Sequence, residues 1–231
     1  MLKIARRASW AGLYALLLAS AIAASSQLGF SRSVTPRLIA HYVGLFGPSA
    51  KERLEGWRAF VRGTVGRAEP ARNISGEVEL LGLVNRFFNR VPSSTDVALW
   101  GVADYWATTS ESLSIGGADC EDYAIAKYFT LKELGIPIAR LRLVYAKTWG
   151  SQTNAHMVLA YYPDPHANPL ILDNLAGSIE LASDRPDLTP VYTFNDDDLL
   201  FPQKDAYEFR MSAFNRQWRG VLEKLERELT Y

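Results

Sequence analysis

Gly116-Gly117-Ala118-Asp119-Cys120-Glu121-Asp122-Tyr123 is the stretch that most constrains this chain, because its only cysteine opens an apolar run there. Tyr123, Ala124, Ile125, Ala126, Tyr128, Phe129, Leu131 and Leu134 follow, and the run stops at Gly135, with Pro137 just beyond. Such a run reads as a buried helix from near Asp119 to Gly135. Asp119 suits the N-cap, and Asp122 stands three residues on, close to a capping-box arrangement. Cys120 then falls in the first turn, where unpaired N–H groups and the helix dipole favour an anion such as a thiolate. The plain alternative is a small cysteine packed as a hydrophobe.

Totals narrow the partners and the chemistry. The 231 residues carry 25 basic and 25 acidic side chains, a balance that gives no electrostatic footprint for nucleic acid. A single cysteine excludes an intramolecular disulfide and any paired-cysteine metal site. The N-terminus points to export. Lys3, Arg6 and Arg7 precede an uncharged apolar stretch from Trp10 to Ala24, and Ala21-Ile22-Ala23 has the small-x-small form of a cleavage site. Residues 1–23 are read as a signal peptide, or as an uncleaved anchor, and residues 24–231 as a single domain. Either way the working part lies outside the cytoplasm.

Helical spacing recurs from Lys51 to Val65 and from Gly76 to Arg90, and again near the end from Met211 to Tyr231. Between Asp96 and Ser110 the chain is rich in aromatics; Trp100, Tyr105 and Trp106 read as core packing or as walls of a cleft. After the central helix the period drops to two. Ile138–Tyr145, Ala155–Tyr162 and Leu170–Leu175 read as three strands with short connections, hence an antiparallel sheet beside the helix. His41, among apolar neighbours, is a packing residue. Asp196-Asp197-Asp198 lacks the glycine and distal glutamate of an EF-hand loop and reads as solvated.

Thiol catalysis needs a thiolate, a histidine that moves its proton, and a group that orients the histidine. Cys120 opens the helix, His156 begins the second strand and Asp173 lies in the third, where it can neighbour His156 across the antiparallel pair. His166, between prolines in a turn, is a poorer partner. Order, spacing and element type suit an α+β fold of papain-like or transglutaminase-like form, with the cysteine on the N-terminus of a central helix packed on an antiparallel sheet.

The same residues carry a family resemblance. Asp119-Cys120-Glu121-Asp122-Tyr123-Ala124, Ala155-His156-Met157-Val158-Leu159 and Leu172-Asp173-Asn174-Leu175, with Trp100-Gly101 and Asp104-Tyr105-Trp106-Ala107-Thr108 upstream, resemble the bacterial transglutaminase-like cysteine proteinases of the LapG type. The likeness runs from about Val78 to the C-terminal helix; residues 25–75 and Asp196–Asp198 have no match in it. The resemblance implies a calcium-dependent periplasmic endopeptidase with no other cofactor. Its substrate would be a large cell-surface adhesin, cut in its N-terminal region at a pair of alanines, which releases the adhesin and disperses biofilm. An inner-membrane receptor of the LapD type, sensing cyclic di-GMP, would sequester it. Cys120 would be the nucleophile, His156 the general base and acid, and Asp173 the orienting carboxylate.

Asp119, Glu121 and Asp122 crowd the cysteine, and negative neighbours disfavour a thiolate. A calcium ion held by these three carboxylates would lift that penalty. Read from the residues alone, the acids serve equally well as helix caps that complement the dipole. The rivals to a protease are a transglutaminase or other acyltransferase on the same scaffold, in which an amine replaces water, and a non-catalytic calcium-binding interaction module.

Overall fold

The computed structural model describes residues 34–65, 73–149, 155–197, 199–200 and 207–231. The expected signal segment, residues 1–23, lies outside them. Among the described residues no helix is long and apolar enough to cross a membrane.

Among the described residues two helices come first. α1 spans Pro36–Phe46, with proline in its first turn and the Thr35 hydroxyl accepting the Leu38 N–H; α2 spans Ser49–Val65. α3, Ile74–Phe88, starts two residues before the expected point because Asn73 accepts the Gly76 N–H as its N-cap. A short α4, Asp96–Trp100, is followed by α5, Thr109–Ile115. Thr108 and Glu111 form a capping box on α5, each side chain satisfying the other's backbone N–H. Gly116 closes α5 at φ 81, and the Arg53 guanidinium covers the last carbonyls, those of Leu113 and Ser114.

The central helix, α6, is Cys120–Glu133, and every residue from Asp122 to Leu131 is buried. A helix hidden over that length needs cover on all sides. α3 and α5 pack against it, and strand β2 lies along another side. Trp57 of α2 is fully buried and donates its indole N–H to Thr130 of α6. The two glycines ahead of α6 have different reasons to be there. Gly116 needs a positive φ, whereas a Cβ on Gly117 would come within 2.8 Å of Leu99 Cδ2. Ala118 then pairs with the segment after α3: its carbonyl accepts the Ser94 N–H and its N–H reaches the Pro92 carbonyl.

The sheet has six strands: β1 Leu141–Thr148, β2 His156–Tyr161, β3 Leu170–Leu172, β4 Glu180–Leu181, β5 Leu188–Phe194 and β6 Leu199–Leu200. Their order is β4-β3-β2-β1-β5-β6, and every neighbouring pair is antiparallel. The expected three-strand sheet is thus its middle. The first strand begins later than its alternation suggests, because Ile138–Arg140 is a turn of 3-10 helix. The third is shorter than expected and stops at Leu172, so Asp173 lies one residue past the strand rather than in it. Alternation along β2 separates two apolar layers. Met157, Leu159 and Tyr161 join the main core with α6, while Val158 and Ala160 join Val144 and Ile171 on the other face.

The last helix, α7, is Tyr207–Glu228. Trp218, Val221 and Leu225 give it a buried stripe, while Leu229 is exposed and lies beyond its end. Glu228 is buried and accepts hydroxyl hydrogen bonds from Tyr42 at 2.7 Å, Ser110 at 2.8 Å and Thr108. That network ties α7 to α1 and to the α5 cap. His41 packs, as expected, its ring stacked on Tyr231 at 4.2 Å. In the acidic triplet, Asp196 pairs with Lys132 and accepts the Tyr128 hydroxyl, so it ties the loop to α6 rather than being merely solvated.

Glu228→Ala leaves three hydroxyl donors without their acceptor inside the core and should lower stability by about 3 kcal/mol. Denaturant unfolding with an unchanged m-value checks this; a loss under about 1 kcal/mol would contradict the role given to the network.

Candidate functional site

Cys120 and His156 reach one cleft of about 480 Å³, from the first turn of α6 and the start of β2. Asp119 and Glu121 line it beside the cysteine; Tyr145, Tyr192 and Trp106 supply aromatic wall. The two tyrosines lie on adjacent strands with their rings parallel, 4.8 Å apart. Trp106 fulfils both of its sequence readings, since it is buried against Phe194 and also faces the cleft. Trp100 instead stacks on Tyr105 at 4.4 Å, away from the cleft lining. His166 is exposed in its turn and takes no part.

Asp173 stands behind His156. Its Oδ1 is 2.8 Å from His156 Nε2, and the side chains are 0% and 5% exposed. The two residues are not directly opposed. Leu172 faces Leu159 in the register, so Asp173 leaves the sheet at a point from which it reaches His156 diagonally. The Asp173 backbone carbonyl accepts the Asn89 side chain, and its Oδ1 accepts the Leu175 N–H. Burial works to raise the Asp173 pKa, but the His156 hydrogen bond and charge, the Leu175 N–H and Arg185 together hold it well below the usual carboxylate range.

The thiol is in the opposite situation. Burial pushes the Cys120 pKa up, and the neighbouring Glu121, whose Oε2 accepts the S–H at 3.0 Å, pushes it further; the Met157 N–H works the other way. The helix terminus alone therefore does not yield a thiolate here, because burial, and then the acids packed around the sulfur, oppose it.

Those acids do not form the capping arrangement expected from sequence. Asp119 makes no side-chain cap bond to α6, and no capping box forms, since Asp122 Oδ1 instead accepts the Ala107 N–H at 2.7 Å. Asp119, Glu121 and Asp122 also do not converge as one trio. The carboxylates that could share an ion are Asp96, Asp119 and Asp122 in one group, and Asp96, Asp104 and Glu121 in the other. Asp96, buried at the start of α4, belongs to both. Its Oδ2 accepts the Tyr105 N–H at 2.6 Å, which fixes the turn that carries Asp104.

The donor set fits a hard divalent cation. Asp96 Oδ1, Asp119 Oδ1 and Asp122 Oδ2 are all buried without a hydrogen-bond partner. Burial, then Glu121, Asp122 and Asp96, push the Asp119 pKa up to about 9. Crowded, orphaned carboxylate oxygens are what an all-oxygen cation site supplies. Asp96 and Asp104 escaped the sequence reading because Asp96 looks like an ordinary first-turn acid and Asp104 like a loop acid; only the turn at Gly101 brings them together with the cysteine loop.

Comparison with known proteins agrees with this geometry. The profile of the bacterial transglutaminase-like cysteine proteinases matches residues 65–189. No curated protein matches the chain significantly. Among solved structures, Legionella pneumophila LapG is 34% identical with a TM-score of 0.65, over 82% of this chain and 96% of that one. An EGTA-treated structure of the same protein gives 32% identity and 0.64, over 82% and 96%. A calcium-bound one gives 34% and 0.60, over 79% and 98%. With a cysteine on the leading turn of a buried helix, a histidine on the adjacent strand, and matches across most of its length, this chain belongs to the bacterial transglutaminase-like cysteine proteinase family.

Proposed function

We propose that this protein is a calcium-dependent cysteine endopeptidase in which Cys120 is the nucleophile, His156 the general base and acid, and Asp173 the orienting carboxylate. One observation carries the reading: Cys120 and His156 line the same cleft while His156 Nε2 is engaged by buried Asp173. With Nε2 held, Nδ1 is the nitrogen that exchanges a proton with the thiol. Asp96, Asp119 and Asp122, or Asp96, Asp104 and Glu121, would hold calcium; the calcium-bound LapG structure supports this choice of ion. Bound calcium supplies positive charge that offsets the acids now opposing the thiolate.

His156 takes the Cys120 proton as sulfur attacks the scissile carbonyl, and the Cys120 backbone N–H is one donor to the resulting oxyanion. His156 returns the proton to the leaving amine as the C–N bond breaks. A water then gives its proton to His156 and attacks the thioester, freeing the acid and the thiol. The aromatic walls leave a cleft suited to small side chains on both sides of the cut. The substrate is a large cell-surface adhesin, cleaved in its N-terminal region at an Ala-Ala site, which releases it and promotes biofilm dispersal. The site of action is the periplasm, a reading supported by the N-terminal basic and apolar segments. Control lies with a LapD-type inner-membrane receptor for cyclic di-GMP.

A fragment containing an Ala-Ala site, incubated with the mature protein with and without calcium and followed by mass spectrometry, should be cut between the alanines. Cys120→Ala should abolish the cut. Incorporation of an added amine in place of hydrolysis would assign the acyltransferase chemistry instead, and full cleavage in excess chelator would refute the calcium requirement.

Calcium should also raise the unfolding temperature, since a ligand bound only to the folded state at roughly 100 times its Kd contributes about 2.7 kcal/mol. Asp96→Asn should lose most of that shift, as should Asp119→Ala. An undiminished shift in Asp96→Asn would remove Asp96 from the ligand set.

A further inference from the structure

Asp173 has two carboxylate oxygens, and His156 engages only one side of the group. The other oxygen, Oδ2, accepts Nη2 of Arg185 at 2.8 Å, with the arginine side chain 10% exposed. Arg185 follows the 3-10 turn Ala182–Asp184, twelve residues after Asp173, and its backbone N–H closes that turn on the Ala182 carbonyl. The guanidinium is itself braced by Asp187: Nε meets Asp187 Oδ1 at 2.9 Å, and Nη2, the nitrogen that also meets Asp173, meets Asp187 Oδ2 at 2.7 Å. Asp187 in turn stands at the head of β5, and its carbonyl accepts the Trp149 N–H just past β1.

We infer that Arg185 is a positioning residue for the hydrolytic machinery, a guanidinium braced on Asp187 whose Nη2 holds the Asp173 carboxylate in the one orientation that keeps His156 Nε2–H engaged. This rests on the triad proposed above. The physical need is specific. Asp173 is fully buried, so its charge requires a partner in the fold. His156 cannot be that partner throughout a catalytic cycle, since it must pass between neutral and charged. Lys127, buried on α6, is the other cation near Asp173, but burial pushes its pKa down to about 7, so its charge is not assured near neutrality. Arg185 is the cation that stays charged at any working pH, and because its Nε and Nη2 pair with both oxygens of Asp187, the guanidinium is fixed where Nη2 also reaches Asp173, a placement a lysine cannot copy. It also rules out free rotation of Asp173, because Oδ1 is committed to His156 and the Leu175 N–H while Oδ2 is committed to the guanidinium. Two strands on opposite sides of β1 are thereby coupled: β3 delivers Asp173 and the β5 end delivers Arg185 through Asp187.

The test uses Arg185→Gln, which keeps an N–H donor and removes the charge, with Arg185→Lys as the charge-preserving variant. With the Ala-Ala fragment as substrate and calcium present, Arg185→Gln should lower kcat by roughly 10-fold to 100-fold, the range for outer-shell partners of a reactive histidine, with KM nearly unchanged. Arg185→Lys should recover part of that loss. In an Asp173→Asn background, adding Arg185→Gln should cost less than about 2-fold more, because the residue it acts through is already gone. A full additive loss in that background, or unchanged kcat in Arg185→Gln, would overturn the inference. A second readout does not depend on peptidase activity: the His156 Nε2–H proton should give a downfield NMR signal in the unmodified protein that broadens or disappears in Arg185→Gln. If the unmodified protein cleaves nothing, the endopeptidase reading falls and this signal decides the Arg185 role alone; its persistence in Arg185→Gln sinks that role. Should Arg185→Gln fail to fold, the same signal and the same background comparison in Arg185→Lys decide it.

Discussion

A helix buried from Asp122 to Leu131 sets the terms for the rest of the molecule. Such a helix has no solvated face to orient it, so its rotation is fixed by polar anchors within the apolar surround. Asp122 bonds the Ala107 N–H, the Tyr123 hydroxyl reaches the Val91 carbonyl at 2.5 Å, and Thr130 accepts Trp57. Each anchor ties α6 to a different part of the chain. Together they hold its leading turn, and hence Cys120, against the start of β2. Without them the apolar side chains that make up most of the buried run could turn about the helix axis at little cost in buried area.

Two opposed electrostatic environments meet in the cleft. On the cysteine side, acids outnumber their partners; burial and mutual repulsion raise Asp119, Asp122 and Cys120 alike. On the histidine side the reverse holds, and Asp173 is kept low by His156, the Leu175 N–H and Arg185 despite burial. The cleft therefore stores unmet negative charge next to the Cys120 thiol and fully met negative charge behind the His156 ring. That division matches a site in which one half awaits a cation and the other is prearranged by the protein itself.

How much of this could be read from the residues follows from which signals are local. The central helix, the helical stripes of α2, α3 and α7, and the middle strands were legible because their periodicity is written in consecutive side chains. Cys120 and His156 were placed by the starts of such elements, and the pairing of His156 with Asp173 by the short connection between two strands. β5 was not. Its alternation is interrupted by Pro190, which sits where the register with β1 shifts between Tyr145 and Ala146, and an irregular strand looks like loop from sequence. The acidic site was legible only in part, since Asp96 joins it from a turn whose path is set by the Tyr105 N–H and Gly101. Arg185 left no local mark, being an arginine in an irregular stretch.

The attachment of α7 has a consequence for how the site is made. The segment that carries Asp104 and Trp106 is pinned by the last helix: Gln217 reaches the Asp104 carbonyl, 113 residues away in sequence, and Lys224 the Trp106 carbonyl, 118 away. Contacts across such separations close late, after the loop entropy of the intervening chain has been overcome. One wall of the cleft and one edge of the acidic cluster therefore depend on the last helix being in place. Until that helix has docked, the segment that bears Asp104 and Trp106 lacks these two ties, and the thiol faces a cleft with one wall unfixed.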